Sequence, residues 1–475
     1  MKKFLFLLVT IFMPLAVIAD ERGWCGKNVS YSYVETTHTL TISGSGAMTD
    51  YSLNRDSPWY SYRDEIVKLI IEEGVTNIGN QAFSYCKNLS TVTIPNSVTC
   101  IGEYAFWYCT SLTIITIPNC VTYIGEYAFS DCKSLTTIAI PNSVISIGDF
   151  ALYGCTNLTS IVVQNGNPIY DSRDNCNAVI ETKTSTLVIG CKNTVIPNSV
   201  TAIGDRAFNG CTSLNAITIP NSITAIGDGA FKGCTSLNTI TIPNSVTNIS
   251  KRALAGCTSL ASIVVQNGNP IYDSRDNCNA IIETRTNTLV VGCKNTVIPN
   301  SVTAIGDCAF DGCASLNTIT LPNNVKTIGD GAFSQCTSLN TVTLPNSLTY
   351  IGEGAFSYCT SLTSITIPNG VTSIGRYAFL CCENLNSIAI PNSVSNIGDW
   401  AFSDCTSLNN ITLPNSVTHI GEDTFSYCIN LSSVIIPNSV TTIGGGAFNG
   451  CTALTSISIP NSVTNIGLSA FSGCI

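Results

Sequence analysis

Twenty-four cysteines and two histidines stand in a chain of 475 residues, and they are the first places to look for chemistry. Fifteen of the cysteines share one spacing. Cys86, Cys109, Cys132 and Cys155 lie 23 residues apart, the series resumes at Cys211, Cys234 and Cys257, and it runs from Cys313 to Cys474 in the same step. Residues that return once per repeating unit point one way, so these thiols form a single inward file, poorly placed to bond unit to unit. We read them as free buried thiols acting as small apolar packing. Cys176 with Cys191, and Cys278 with Cys293, stand outside the file. Each pair flanks a segment that reads as a hairpin, turning at Lys183–Thr184 and at Arg285–Thr286. A two-residue turn would set the paired thiols opposite each other, which is compatible with a disulfide.

Other chemistry finds little support. His38 and His419 are far apart in sequence, and neither belongs to a Ser-His-Asp or Cys-His arrangement. An acid follows a recurrent glycine in ten units, Glu103, Asp149, Asp228 and Glu353 among them. Capping of backbone amides explains that row more simply than calcium, which needs several oxygen ligands in one turn. In "YDSRDNCN", Tyr170–Asn177, Arg173 breaks the spacing of a calcium loop, and CxxC pairs for zinc are absent. No phosphate-binding glycine loop is present. The expectation is therefore no enzyme, no metal and no cofactor. A net charge of −9 argues against nucleic-acid partners, whose phosphates an acidic chain repels.

The elements that carry these residues are written in the repeat. Numbered from its leucine, one unit reads LxxIxIPNxVxxIGxxAFxxCxx. The apolar residues at positions 1, 4 and 6, as in Leu237, Ile240 and Ile242, have the period of a short strand with one face inward. Proline at 7 ends its ladder and asparagine at 8 suits a corner. Positions 10 and 13 form a second extended side, and "AFxxC" reads as one helical turn that buries its phenylalanine and cysteine. A single unit cannot cover its own apolar edge, so the units must stack into one continuous core. The predicted fold is a right-handed repeat solenoid with a parallel β-sheet on one face and short helical turns on another.

The LxxIxI strand, the "PNSVTxIG" corner and the "AFxxC" turn resemble the BspA-like leucine-rich repeat family. The resemblance covers about residues 66–475, in about fifteen repeats, and residues 20–65 are similar to the segment that often precedes such repeats. It implies a leucine-rich-repeat fold on secreted or surface proteins of host-associated microbes, with adhesion to extracellular-matrix proteins, host cell surfaces or other microbial cells.

The rest of the chain frames the solenoid. Residues 1–19 read as a signal peptide: Lys2 and Lys3 precede an apolar run, and Val17 and Ala19 fit the cleavage rule. Export follows, to the medium or the cell surface. No later stretch has the length and apolarity of a transmembrane segment. Residues 20–65 alternate like strands and read as a β-rich cap, with Trp59 over the open end of the core. Two near-identical insertions, near 164–195 and 266–297, read as hairpins projecting from the solenoid.

The outward strand positions 2, 3 and 5 remain. They carry Thr91, Thr93, Thr116, Thr218, Thr239, Thr241, Thr318, Thr320, Thr341, Thr343, Thr366 and Thr412 amid serine and asparagine. Such a neutral face, poor in aromatic anchors, favours weak contacts summed by avidity. The reading is a non-enzymatic surface scaffold, an adhesin making multivalent contacts with proteins or glycans. A structural spacer without its own ligand is the alternative. An ice-binding threonine array is weaker, because Ala216, Ala389 and Ile435 interrupt the rows.

Overall fold

A computed structural model describes residues 21–52 and 56–474. The signal peptide expected at 1–19 lies outside the described residues. The chain divides into two compact units, Met1–Leu135 with Ser146–Ala151, and Thr136–Ile145 with Leu152–Ile475.

In the first unit, strands Glu21–Trp24, Val29–Val34 and Thr39–Gly44 form antiparallel pairs. Thr39–Gly44 then runs parallel to Lys68–Ile71, which runs parallel to Thr91–Thr93. The hydrogen-bonding edge of the N-terminal strands thus passes directly into the coils. Alternation buries Leu40 and Ile42 beside Leu69 and Ile71, so the two structures share one core. Trp59 is fully buried, donates its indole N–H to the carbonyl of Ala82 at 2.8 Å, and stacks on Phe83 at 5.4 Å. It is the first ring of a file that continues through Phe106 and Phe129 at 5.5 Å steps.

In the second unit the strand at positions 3–6 pairs in parallel with its counterpart 23 residues on, as in Thr239–Ile242 with Ser262–Val265 and Thr318–Thr320 with Thr341–Thr343. Positions 12–13 build a second file of two-residue strands, among them Ala304–Ile305, Thr327–Ile328 and Tyr350–Ile351. Between the files lie the leucines, the thiols and an unbroken stack of eight rings, Phe310 through Phe471, spaced 4.9–5.6 Å. Each stacked pair adds about 0.5–1.5 kcal/mol beyond the burial of its area. The result is a solenoid of stacked parallel coils.

The "AFxxC" segment differs from the expected helical turn. Among the described residues the helices are four short 3-10 turns, Glu35–Thr37, Tyr60–Glu65, Arg173–Asn175 and Arg275–Asn277, all outside that motif. In its place the backbone alternates two kinds of bond. Ala332, Ser334 and Cys336 donate back three residues, to Gly329, Gly331 and Phe333, while Gly331, Phe333 and Gln335 donate to Glu353, Ala355 and Ser357 of the next coil. This zigzag needs positive φ at positions 16 and 20, and Tyr104, Tyr108, Tyr377 and Cys381 adopt it as glycines do elsewhere. A helix would satisfy its amides internally, whereas here half of them zip neighbouring coils together.

The insertions do not project. In the first, Tyr170–Asp171 pairs antiparallel with Ala178–Glu181, which pairs antiparallel with Thr186–Gly190. Thr186–Gly190 then runs parallel to Ala202–Ile203, so it replaces the position 12–13 strand of its coil. Cys176, Ala178, Val179, Ile180 and Leu187 are wholly buried. The second insertion repeats this with Ile281–Glu283 and Thr288–Val291. Continuous apolar runs such as "AVI" and "LVV" demand cover on both faces, and the solenoid wall supplies it.

Candidate binding surfaces

The twelve sequence-predicted threonines all face solvent. The fold gathers four of them into a square, Thr318 opposite Thr341 and Thr320 opposite Thr343. The rows are otherwise broken: Thr241 faces Val264, Thr366 faces Ala389, and Thr412 faces Ile435, which is 59% exposed. Thr91 and Thr93 lie opposite Lys68 and Ile70 in the first unit, where Ile114 stands 60% exposed two positions before Thr116. This face is neutral and hydroxyl-rich, with scattered apolar side chains.

Aromatic anchors occur instead on the turn side of the first unit, at positions 16, 19 and 20. Tyr104 stacks on Tyr127 at 4.7 Å and Tyr127 on Phe150 at 4.8 Å. Trp107 sets its ring edge-to-face against Tyr85 at 4.6 Å and Tyr104 at 5.4 Å, and Tyr108 lies 5.3 Å from Tyr85. All six rings are half-buried. Cations border them: the Arg63 guanidinium lies 3.8 Å from the Tyr60 centroid and 5.2 Å from that of Tyr85, and the Lys133 ammonium 5.2 Å from Tyr108. The signal was present in "EYAFWYC" and "EYAFSDC". It escapes a helical reading of the turn, because only the alternating left-handed backbone turns positions 16 and 20 into outward rows.

The position-15 acids do cap amides, but across coils. Asp205 accepts from the Asp228 amide at 2.7 Å, Asp330 from Glu353 at 2.8 Å and Asp399 from Glu422 at 3.0 Å. His38 has positive φ at the end of Glu35–Thr37 and bonds the Tyr33 hydroxyl through Nδ1 at 3.1 Å; His419 is exposed on a two-residue strand. Among the described residues, no three His, Cys, Asp or Glu side chains are grouped as a metal ion would require.

All 24 cysteines are free. Those at position 21 are more than apolar filler: Cys359 Sγ donates to the Phe333 carbonyl at 3.2 Å, and Cys109 does the same to Phe83. Burial drives these thiols up, to about 12 for Cys86, Cys132 and Cys257. The pairing of Cys176 with Cys191 that the hairpin allowed is not formed. A bulge between Val179 and Ile180 shifts the register by one, so Cys191 comes opposite Asn177 and donates to its carbonyl at 3.3 Å. Cys176 points to the Ala178 carbonyl instead. The bulge between Ile281 and Ile282 separates Cys278 from Cys293 in the same way, with Cys293 Sγ on the Asn279 carbonyl.

Stacked coils with one exposed strand face and side-chain rows on their turns define a repeat scaffold built for contact. The chain belongs to the BspA type leucine rich repeat region family, whose profile matches residues 57–176, 187–285, 289–406 and 372–475. Solenoids of this family are generally binding scaffolds without catalytic chemistry and are associated with the cell surface. Among curated proteins no relative matches. Similar solved structures include a leucine-rich repeat protein from Bacteroides ovatus, 26% identical over 95% of this chain and 92% of that one, with a TM-score of 0.43. A leucine rich cell surface protein from Faecalibacterium prausnitzii is 26% identical over 87% and 94%, with a TM-score of 0.44. A leucine-rich repeat protein from Eubacterium ventriosum is 23% identical over 96% and 95%, with a TM-score of 0.39. Among the described residues no helix is long and apolar enough to cross a membrane.

Proposed function

We propose that the protein is an exported adhesin that binds matrix proteins or glycans of a host, or the surfaces of neighbouring microbes. The six-ring cluster around Trp107 carries this reading, because tyrosine and tryptophan held by their neighbours lose little entropy on contact and dominate binding hot spots. The threonine square and the broken hydroxyl rows of the strand face add weak contacts whose effect grows with valency. Export through residues 1–19 delivers the scaffold to where such partners are found.

The test is binding of the purified chain to arrays of matrix proteins and glycans, with surface variants in place of deletions, since the insertions belong to the core. Trp107→Ala with Tyr108→Ala should lower affinity at least tenfold, and Thr318→Lys with Thr341→Lys several-fold, measured well below the melting temperature of each variant, which the lost ring contacts and the opposed lysines will lower. Retention of full binding by both double variants would refute this assignment of surfaces. Absence of any ligand would favour a spacer.

A further inference from the structure

On the turn side of the second unit lies an open cavity of about 640 Å³ whose lining includes four carboxylates and two cations. It exists because position 16 holds glycine in two successive coils, Gly331 and Gly354. In the first unit that row is a stack of rings at 4.7–4.8 Å, matching the coil spacing. Around the cavity the row reads Arg252, Cys308, Gly331, Gly354, Tyr377 and Trp400, and elsewhere in the second unit its glycines stand singly, at Gly229 and Gly446. A Cβ on Gly331 or Gly354 would meet no atom nearer than 3.4 Å, and the positive φ they adopt is shared by Tyr377. The two adjacent glycines therefore leave a slot two coils wide between Cys308 and Tyr377, with the Tyr377 ring as one wall.

Charge selects what fits it. Both cations are matched within the protein: Lys251 pairs with Asp307 at 2.7 Å, and Arg252 with the buried Asp311 at 3.3 Å. Asp330 spends one oxygen on the Glu353 amide, and neither Asp330 nor Glu353 joins an ion pair among the described residues. Of the four lining carboxylates only Asp307 joins an ion pair among the described residues, so Asp330 and Glu353, with Asp228, give the slot a negative excess that shares the lining with the Tyr377 ring. The chain itself shows the matching chemistry twice. Arg252 occupies this same row with a carboxylate partner, and the Arg376 guanidinium lies 5.2 Å from the Tyr377 centroid while pairing with Asp399 of the following coil at 3.6 Å.

We infer that this groove binds the guanidinium of an arginine side chain presented by a partner polypeptide, its plane stacked in the row against Tyr377 and its N–H edge on Asp330 and Glu353. Arginine is the side chain that is both flat and permanently cationic, and its fork matches carboxylate oxygens. The inference goes beyond the adhesion reading and stands whether or not the first-unit cluster binds a ligand.

Titration of the full chain with acetyl-Gly-Arg-Gly-amide, followed by ligand-observed NMR, tests it. The citrulline peptide, flat but neutral, should bind at least tenfold more weakly, and the lysine peptide several-fold more weakly. Gly354→Tyr should abolish binding by filling the slot, and Asp330→Asn with Glu353→Gln should weaken it at least tenfold with an unchanged melting temperature. Glu126→Gln in the first unit should have no effect. Equal binding of the arginine and citrulline peptides, full binding by the carboxylate double variant, displacement by a neutral oligosaccharide, or no arginine binding at all would each overturn the assignment. Should Gly354→Tyr fail to fold, the carboxylate variant and Tyr377→Ala decide.

Discussion

At the scale of single residues, the position-21 thiols show how far a sequence pattern reaches. Their common spacing was enough to place them inside and to argue against bonding between units. The partner each chose was not legible, because the Phe carbonyl that receives the Cys359 proton lies 26 residues earlier and only the coil geometry brings it to 3.2 Å. Desolvation gives these groups a pH signature. Cys86, Cys132 and Cys257 ionise near 9 when unfolded and at about 12 when folded, so above pH 9 the unfolded chain binds fewer protons than the native one. Stability is therefore complete below pH 9 and falls as pH rises to 12, each such thiol contributing on the order of 1 kcal/mol per pH unit. Chemical denaturation at pH 8, 10 and 11 should show a flat, then steep, loss. At pH 8 a thiol reagent should label the exposed Cys120 quickly and the buried file only on unfolding. Prompt labelling of Cys359 or Cys382 in the native protein would contradict this account.

At the scale of elements, strand periodicity was legible and turn geometry was not. Leucine and isoleucine at positions 1, 4 and 6 can be read inward without knowing the fold, whereas "AFxxC" has the apolar spacing of a helical turn. What defeats the helix is that stacked coils offer carbonyls at the coil spacing, and alternate amides gain more by reaching across. The hairpins were legible as strands but misplaced, because the sequence does not say that one of them completes a coil. Gly292 marks that substitution: it stands where coils elsewhere carry phenylalanine, its amide donates to Ala309, and a Cβ would overlap Cε1 and Cζ of Phe310. Gly292→Ala should cost about 1–3 kcal/mol by overpacking, read as a lowered denaturation midpoint. Asn269 fixes the entry to the same insertion, giving its amide protons to Pro243 and Val246 at 2.9 and 2.8 Å and receiving the amides of Ile271 and Tyr272. Asn269→Asp turns a donor into a charge against two carbonyls. It should cost about 2–3 kcal/mol at neutral pH and less once the carboxylate is protonated, and a loss independent of pH would point to another cause.

At the scale of the whole molecule, the repeat fixes the energetics more firmly than the ligand. A coil touches only its neighbours, so stability is a sum of coil terms and interface terms along the chain. Within the second unit, Phe356 stacks on Phe333 at 5.2 Å and on Phe379 at 5.5 Å, and its amide donates to Ala378 of the next coil. Phe356→Ala removes both ring contacts and opens a cavity in a fully buried site, at about 3–5 kcal/mol. If the interfaces are independent, hydrogen exchange should quicken at the amides of Phe333, Phe356 and Phe379, less at Phe310 and Phe402, and not at Phe231. Uniform acceleration across the unit would mean that its coils unfold as one cooperative block. The same locality explains why function was less legible than fold. Inward positions are held to one pattern by every neighbour, while most outward positions answer to fewer internal constraints, the amide-capping acids of position 15 being the exception. The rings at Tyr104 and Trp107 and the gap at Gly331 and Gly354 are therefore departures from the repeat rather than parts of it, and they acquire meaning only when the coils set them side by side.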